Sequence, residues 1–227
     1  ILIDGSDMPA FTAAALAAGW RDETHAQHLV HDPEGPFERE WTIPVGPATV
    51  GCDVHRRLLG WREFPVNVPE LLSRARRLDC GWRVCAPSDL LLHTALHAAN
   101  SAFCVPLRTW LDVHRLVDSA DIDWDRLVHT ATEWRARRCA WSALHVAQMW
   151  FGATPPDEAL AALAPRGRGA RLLVDALQGH ERWPTTAPVR GRLGRAWMRL
   201  LARDTSPDAL RYVWQTGLRE LAMWFRG

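Results

Sequence analysis

Lysine is absent from the 227 residues, so every one of the 27 basic side chains is an arginine. This excludes Schiff-base and lysine-nucleophile chemistry within the chain. Any phosphate contact falls to Arg, to His or to backbone N–H groups. Charge of one sign is also lacking: 26 acidic residues bring the net charge to +1. No run of about 18 or more apolar residues occurs, so no membrane span is indicated. A basic start followed by an apolar stretch and a small-residue cleavage site, the pattern of a secretory signal, is missing too. Cysteine is sparse and odd in number at five, which argues against a disulfide framework and for a reducing, cytoplasmic setting. Cys80 and Cys85 have no matching second pair, which argues against a zinc knuckle. There is no G-x-S-x-G turn for a serine hydrolase. His93 and His97 lie four apart, but without the H-E-x-x-H glutamate or a third ligand they do not make a zinc site.

What is present suits one or two globular domains, with 48% hydrophobic residues spread along the chain. Residues 1–3 (ILI) read as the end of a strand, and the chain opens so abruptly that further residues are expected upstream. DGSDMP is a loop leading into a helix over FTAAALAAG, with Ser6 or Asp7 as cap, Pro9 in the first turn and Gly19 as the stop. Strands are expected at 25–32, 37–45 and 48–55, separated by the turns HDPEGP and VGP. From APSD (86–89), where Ser88 is the cap candidate, the pattern turns helical. Helices are expected at 88–102, 106–118, 123–136, 137–151, 157–163, 168–178, 190–203 and 207–225, with GATPP as a break and 179–191 as a mobile loop. The fold class is therefore α+β: a small mixed or antiparallel sheet domain over residues 1–75, then an all-α domain over 76–227. A cleft between the two is expected.

The third expected strand, ATVGCDVH, places a carboxylate and an imidazole on one face. Side chains alternate along a strand, so Val50, Cys52 and Val54 share one face while Gly51, Asp53 and His55 share the other. A short carboxylate beside a glycine leaves room for something to approach. The bland alternatives are a strand-end Asp facing water or pairing with Arg56 or Arg57, and a hydrogen-bonded surface His.

Several further pieces recur in a fixed order. They are the Leu-rich helix ending near His97, the set Leu107, Arg108, Trp110 and Asp112, the set Ile122, Asp123, Trp124 and Asp125, the CDVH strand, and the late SPDALRY. In this order and spacing the chain resembles a family of uncharacterised bacterial nucleotidyltransferases. The resemblance implies a polymerase-β-type nucleotidyltransferase fold. It implies a D-x-D carboxylate pair on one strand and a third carboxylate on a neighbour, holding one or two Mg²⁺ ions against a nucleoside triphosphate. Hard oxygen ligands suit Mg²⁺, and two ions can stabilise both oxygens of an in-line displacement. Asp53 corresponds to the third carboxylate, as a catalytic metal ligand. The D-x-D pair is expected immediately before ILI, outside the residues present; without it the chain would not be a competent enzyme.

His55, His97, Arg108 and Asp112 are candidates for nucleotide or acceptor binding, with Arg108 favoured because a guanidinium can bond two phosphate oxygens. The alternative for Arg108 and Asp112 is an i,i+4 salt bridge, and for His97 a polar cluster between packed helices. The Arg–Trp helix RGRLGRAWMRLLAR reads as a solvated face with Trp197 and Met198 packed inward rather than as a nucleic-acid surface. The expected function is Mg²⁺-dependent transfer of a nucleotidyl group from an NTP to an unknown small-molecule or peptide acceptor. The rivals are an inactive scaffold of the same fold and, less favoured, a nucleic-acid-binding module.

Overall fold

A two-residue turn sets the register of the sheet. Gly46 takes φ +59°, the first-position requirement of a II′ hairpin turn, and Pro47 follows it. Pairing runs outward from there in the computed structural model, which describes residues 1–24, 37–59, 64–119, 121–178 and 191–214. Strand β1 (Arg21–Asp22) pairs antiparallel with β2 (Glu38–Val45), and β2 with β3 (Ala48–His55). The expected strand at 25–32, the turn after it, residues 179–190 of the expected mobile loop and the end of the last expected helix lie outside the described residues.

Residues 1–3 run alongside β3, joined to it by an isolated bridge rather than as a strand. Ile1 N donates to Asp53 O at 2.6 Å, His55 N to Ile1 O at 2.7 Å and Ile3 N to His55 O at 2.9 Å, with Leu2 bridged parallel to His55. Asp4 then receives the amide and hydroxyl of Ser6, which hold its carboxyl below the ordinary range and start a short 3-10 turn. The cap expected at Ser6 or Asp7 is therefore Asp4. It opens the turn before helix α1 (Met8–Ala17), whose own cap residue Asp7 makes no side-chain bond. Gly19, at φ +86°, ends the helix as expected.

Helix α1 covers one face of the sheet. Trp41 and Val54 are fully buried against Ala15, with Ile3, Met8, Phe11, Trp20 and Cys52 closing around them. The Phe11 and Trp41 rings meet edge to face at 5.7 Å. Arg39 and Asp22 form an ion pair of 3.1 Å within the sheet. A short helix α2 (Val68–Arg74), capped by Asn67, leads to a hairpin of β4 (Arg76–Arg77) and β5 (Arg83–Val84). The chain divides into two compact units: residues 1–62 with 66–84, and residues 63–65 with 85–227.

The second unit is helical: α3 (Pro87–Asn100), α4 (Leu107–Ser119), α5 (Trp124–Glu133), α6 (Arg137–Phe151), α7 (Asp157–Leu163), α8 (Arg168–Gln178), α9 (Gly191–Leu201) and a helix over 206–214. Helix α6 is its axis. Cys139, Ala140, Ala143, Leu144 and Ala147 are buried along it, and small side chains let α3, α4 and α7 approach closely. Gly152 closes α6 in the left-handed conformation. Ser88 does not cap α3. Pro87 occupies the first turn, and the buried Ser88 hydroxyl bonds Asp123 O at 3.0 Å, tying the start of α3 to the start of α5. On α9, Met198 packs inward as expected, but Trp197 is 48% exposed, because neighbouring helical residues point about 100° apart.

Helix α6 also carries a pH-sensitive group. His145 stacks on Trp141 at 4.5 Å, and burial pushes its imidazole below the usual value. The folded state then binds fewer protons than the unfolded chain. Its contribution to stability is complete above about pH 6.5 and is lost as pH falls through the folded pKa. His145→Phe keeps the stack and removes the proton. Melting curves at about pH 7.5 and about pH 5 are expected to show a smaller loss of stability for this variant than for the native chain.

Candidate functional site

The face of the sheet away from α1 carries Glu23, Glu38, Glu40 and Asp53 together with Arg21 and His55. Counted from the turn, Glu40 pairs directly with Asp53, and Glu38 with His55. The amide of Glu23, the residue after β1, reaches Glu40 O at 2.8 Å, so Glu23 falls in line with the Glu40–Asp53 pair. All three are exposed. The backbone groups of Asp53 and His55 point toward residues 1–3, whereas Arg56 N bonds Phe37 O at 2.9 Å. Asp53 and Glu40 are thus a non-hydrogen-bonded pair, the kind whose side chains come closest. Like charges placed directly opposite destabilise a sheet.

Gly51 lies two residues along the same face, opposite Thr42. A Cβ built on it would meet nothing within 4 Å. The glycine is not demanded by packing, and it leaves open space next to Asp53. His55 stands on the other side of Asp53, half-buried, with its ring 6.0 Å from that of Phe37. Among the described residues, no three His, Cys, Asp or Glu side chains are grouped closely enough to hold a metal ion between them. The donors on this face are carboxylate oxygens, the type Mg²⁺ prefers, and Mg²⁺ commonly takes only one or two of them from protein.

The structure therefore brings Asp53 and His55 together. His97, Arg108 and Asp112 belong to the helical unit. His97 is exposed in the last turn of α3, and Arg108 and Asp112 are exposed on α4. No ion pair joins either of them to a described residue, so the i,i+4 salt bridge is not formed. Glu40 carries no motif of its own in the sequence, and the two-residue turn at Gly46-Pro47 fixes it opposite Asp53.

A second group of charged residues surrounds the start of α6. Asp204 accepts the amides of Arg137 and Arg138, both at 2.8 Å. Burial pushes its carboxyl above the usual range, against the pull of those two N–H groups. Arg138 in turn donates to Leu201 O and Arg166 O, each at 3.1 Å, and Asp208 receives Arg135 at 2.8 Å. Among the described residues these hydrogen bonds tie the start of α6 to residues 201–208. Asp204→Ala would orphan two helix-start donors and is expected to cost about 1–3 kcal/mol, read as a lower melting temperature.

Residues 1–152 match a family described as uncharacterised nucleotidyltransferase. The chain belongs to that family. The match spans the sheet unit and the helical residues through the end of α6. No curated protein and no solved structure matches the chain. Family membership gives the nucleotidyltransferase a general role in nucleotidyl transfer with a nucleoside triphosphate as donor. The α+β architecture agrees with the fold class read from the sequence. Among the described residues, no helix is long and apolar enough to cross a membrane.

Proposed function

We propose that the open face of the sheet is where this nucleotidyltransferase binds its NTP with Mg²⁺, and that Asp53 and Glu40 are the carboxylates it contributes. The observation that carries this reading is the pair itself: two like charges directly opposed on an exposed sheet face, beside an unfilled glycine. Such a pair costs stability unless a cation stands between or beside its members. Mg²⁺ would be held by Asp53 and Glu40, with water and phosphate oxygens completing its shell. When bound it neutralises triphosphate charge and polarises the phosphoryl group under attack.

The remaining work belongs to the chain. Gly51 gives the triphosphate its approach. His55 lies about 6–7 Å along the strand from Asp53, within reach of a second phosphate oxygen. An acceptor oxygen or nitrogen attacks the α-phosphorus, the bond to the β-phosphate oxygen breaks, and pyrophosphate leaves. The acceptor proposed is a small molecule or peptide.

The test is calorimetric titration of ATP, GTP, CTP and UTP in the presence and absence of Mg²⁺. Binding of one nucleotide only when Mg²⁺ is present is the expected result. No binding under either condition would leave a scaffold that keeps the fold without the chemistry.

A further inference from the structure

The β4–β5 hairpin carries three arginines and one indole, all exposed. Its geometry is well defined. Arg76 pairs with Val84 and Arg77 with Arg83. Leu78 N donates to Trp82 O at 2.7 Å and Gly81 N to Leu78 O at 2.9 Å, with Gly81 at φ +88° closing a three-residue turn. Every residue from Arg76 to Arg83 is exposed.

Alternation along the two strands sorts the side chains. Arg77 and Arg83 oppose each other on one face, and Arg76, Leu78 and Trp82 share the other. Trp82 is 58% exposed and Leu78 42%. None of Arg76, Arg77 and Arg83 forms an ion pair with a described residue. Across the ribbon the balance is three Arg against the single carboxylate of Asp79.

A two-stranded ribbon is marginal in water without a face to bury. Two guanidiniums directly across a ladder weaken it further. An indole left out in solvent adds nothing to the fold. Each of these features becomes favourable against one kind of partner. Phosphates neutralise the arginines, which offer a planar fork to two oxygens at a time. Unstacked bases lie flat on an exposed indole flanked by a guanidinium.

We propose that the hairpin over residues 76–84 is a binding ribbon for single-stranded nucleic acid, gripping the backbone with Arg76, Arg77 and Arg83 and stacking a base on Trp82. An acidic peptide would use the arginines but not the indole. A duplex keeps its bases stacked on one another and offers Trp82 no free π-face. The near-zero net charge of the whole chain does not oppose this, because the positive charge is local and screened within about 10 Å at ordinary salt.

The experiment is fluorescence anisotropy of labelled single-stranded 15-mers, oligo-U and oligo-dT, with the full chain at increasing salt. Wild type is expected to bind and to weaken as salt rises. Arg76→Ala/Arg77→Ala/Arg83→Ala should bind at least tenfold more weakly, and the slope of log affinity against log salt should fall by about 2. Trp82→Ala should lose roughly 5- to 100-fold, with Trp82→Phe restoring most of it. The triple Arg→Lys variant should keep the salt slope. All four residues are exposed, so melting temperatures should hold, and Trp82→Phe and Arg→Lys serve as folded controls if the alanine variants do not. Absence of binding, binding indifferent to these substitutions, tighter binding of a duplex of the same length, or equal displacement by polyglutamate with no effect of Trp82→Ala would each overturn the proposal.

Discussion

Asp53→Ala is expected to lower nucleotidyl transfer by at least about a hundredfold, the scale on which removal of one preorganised charge-stabilising group is felt. The same substitution is expected to leave the fold intact or slightly more stable. Asp53 faces solvent, and its direct cross-strand neighbour is another carboxylate. Removing either charge relieves a repulsion of about 0.2–1 kcal/mol. Asp53→Asn and Glu40→Gln, which keep the shapes, should therefore raise the melting temperature while they weaken Mg²⁺-dependent nucleotide binding. A purely structural aspartate would behave in the opposite way: its loss would lower stability and leave nucleotide binding alone. Melting curves and calorimetry on the same three variants separate the two. Stability and affinity falling together would mean that the carboxylates serve the sheet rather than the nucleotide.

The sequence and the structure agree most closely where the signal is local. The helices 137–151, 157–163 and 168–178 run over the residues expected. Gly152 and the prolines at 155 and 156 punctuate them, and their apolar residues recur at helical spacing. The face shared by Asp53 and His55 was legible for the same reason, since a period of two needs no partner strand to read. Disagreements arise where a distant residue decides. Ser88 sits at a typical capping position, yet its hydroxyl is taken by Asp123 O across a helix packing contact. Asp204 caps α6 from 66 or 67 residues away, which no local pattern reveals. Strand β1 at Arg21–Asp22 is two polar, exposed residues long, too short to carry any period. Glu40 falls between these cases, hidden only until the turn at Gly46-Pro47 is used to count the register outward.

Trp41→Ala is expected to be the most damaging single change to the candidate site, although Trp41 lies on the opposite face from Asp53. The register of β2 with β3 holds because Trp41, Cys52 and Val54 fall together on the face that α1 covers. A slip of one residue between them would place Asp53 on the same face as Trp41, so that either the carboxylate turned inward or the indole turned outward. Trp41 is the largest fully buried side chain in that layer, and truncating a buried Trp costs about 3–5 kcal/mol. A small unit has little stability in reserve to absorb such a loss. Nucleotide binding should therefore disappear, while the far-ultraviolet signal of the helical unit largely persists. Trp41→Phe should be far milder. It keeps the edge-to-face contact with Phe11 and removes an indole N–H that is buried with no acceptor among the described residues, a group that itself costs stability. The pair of variants separates support of the register from ring chemistry: binding kept in Phe and lost in Ala assigns Trp41 the role of holding Asp53 outward. Full nucleotide binding by Trp41→Ala would mean that the nucleotide does not sit on this sheet.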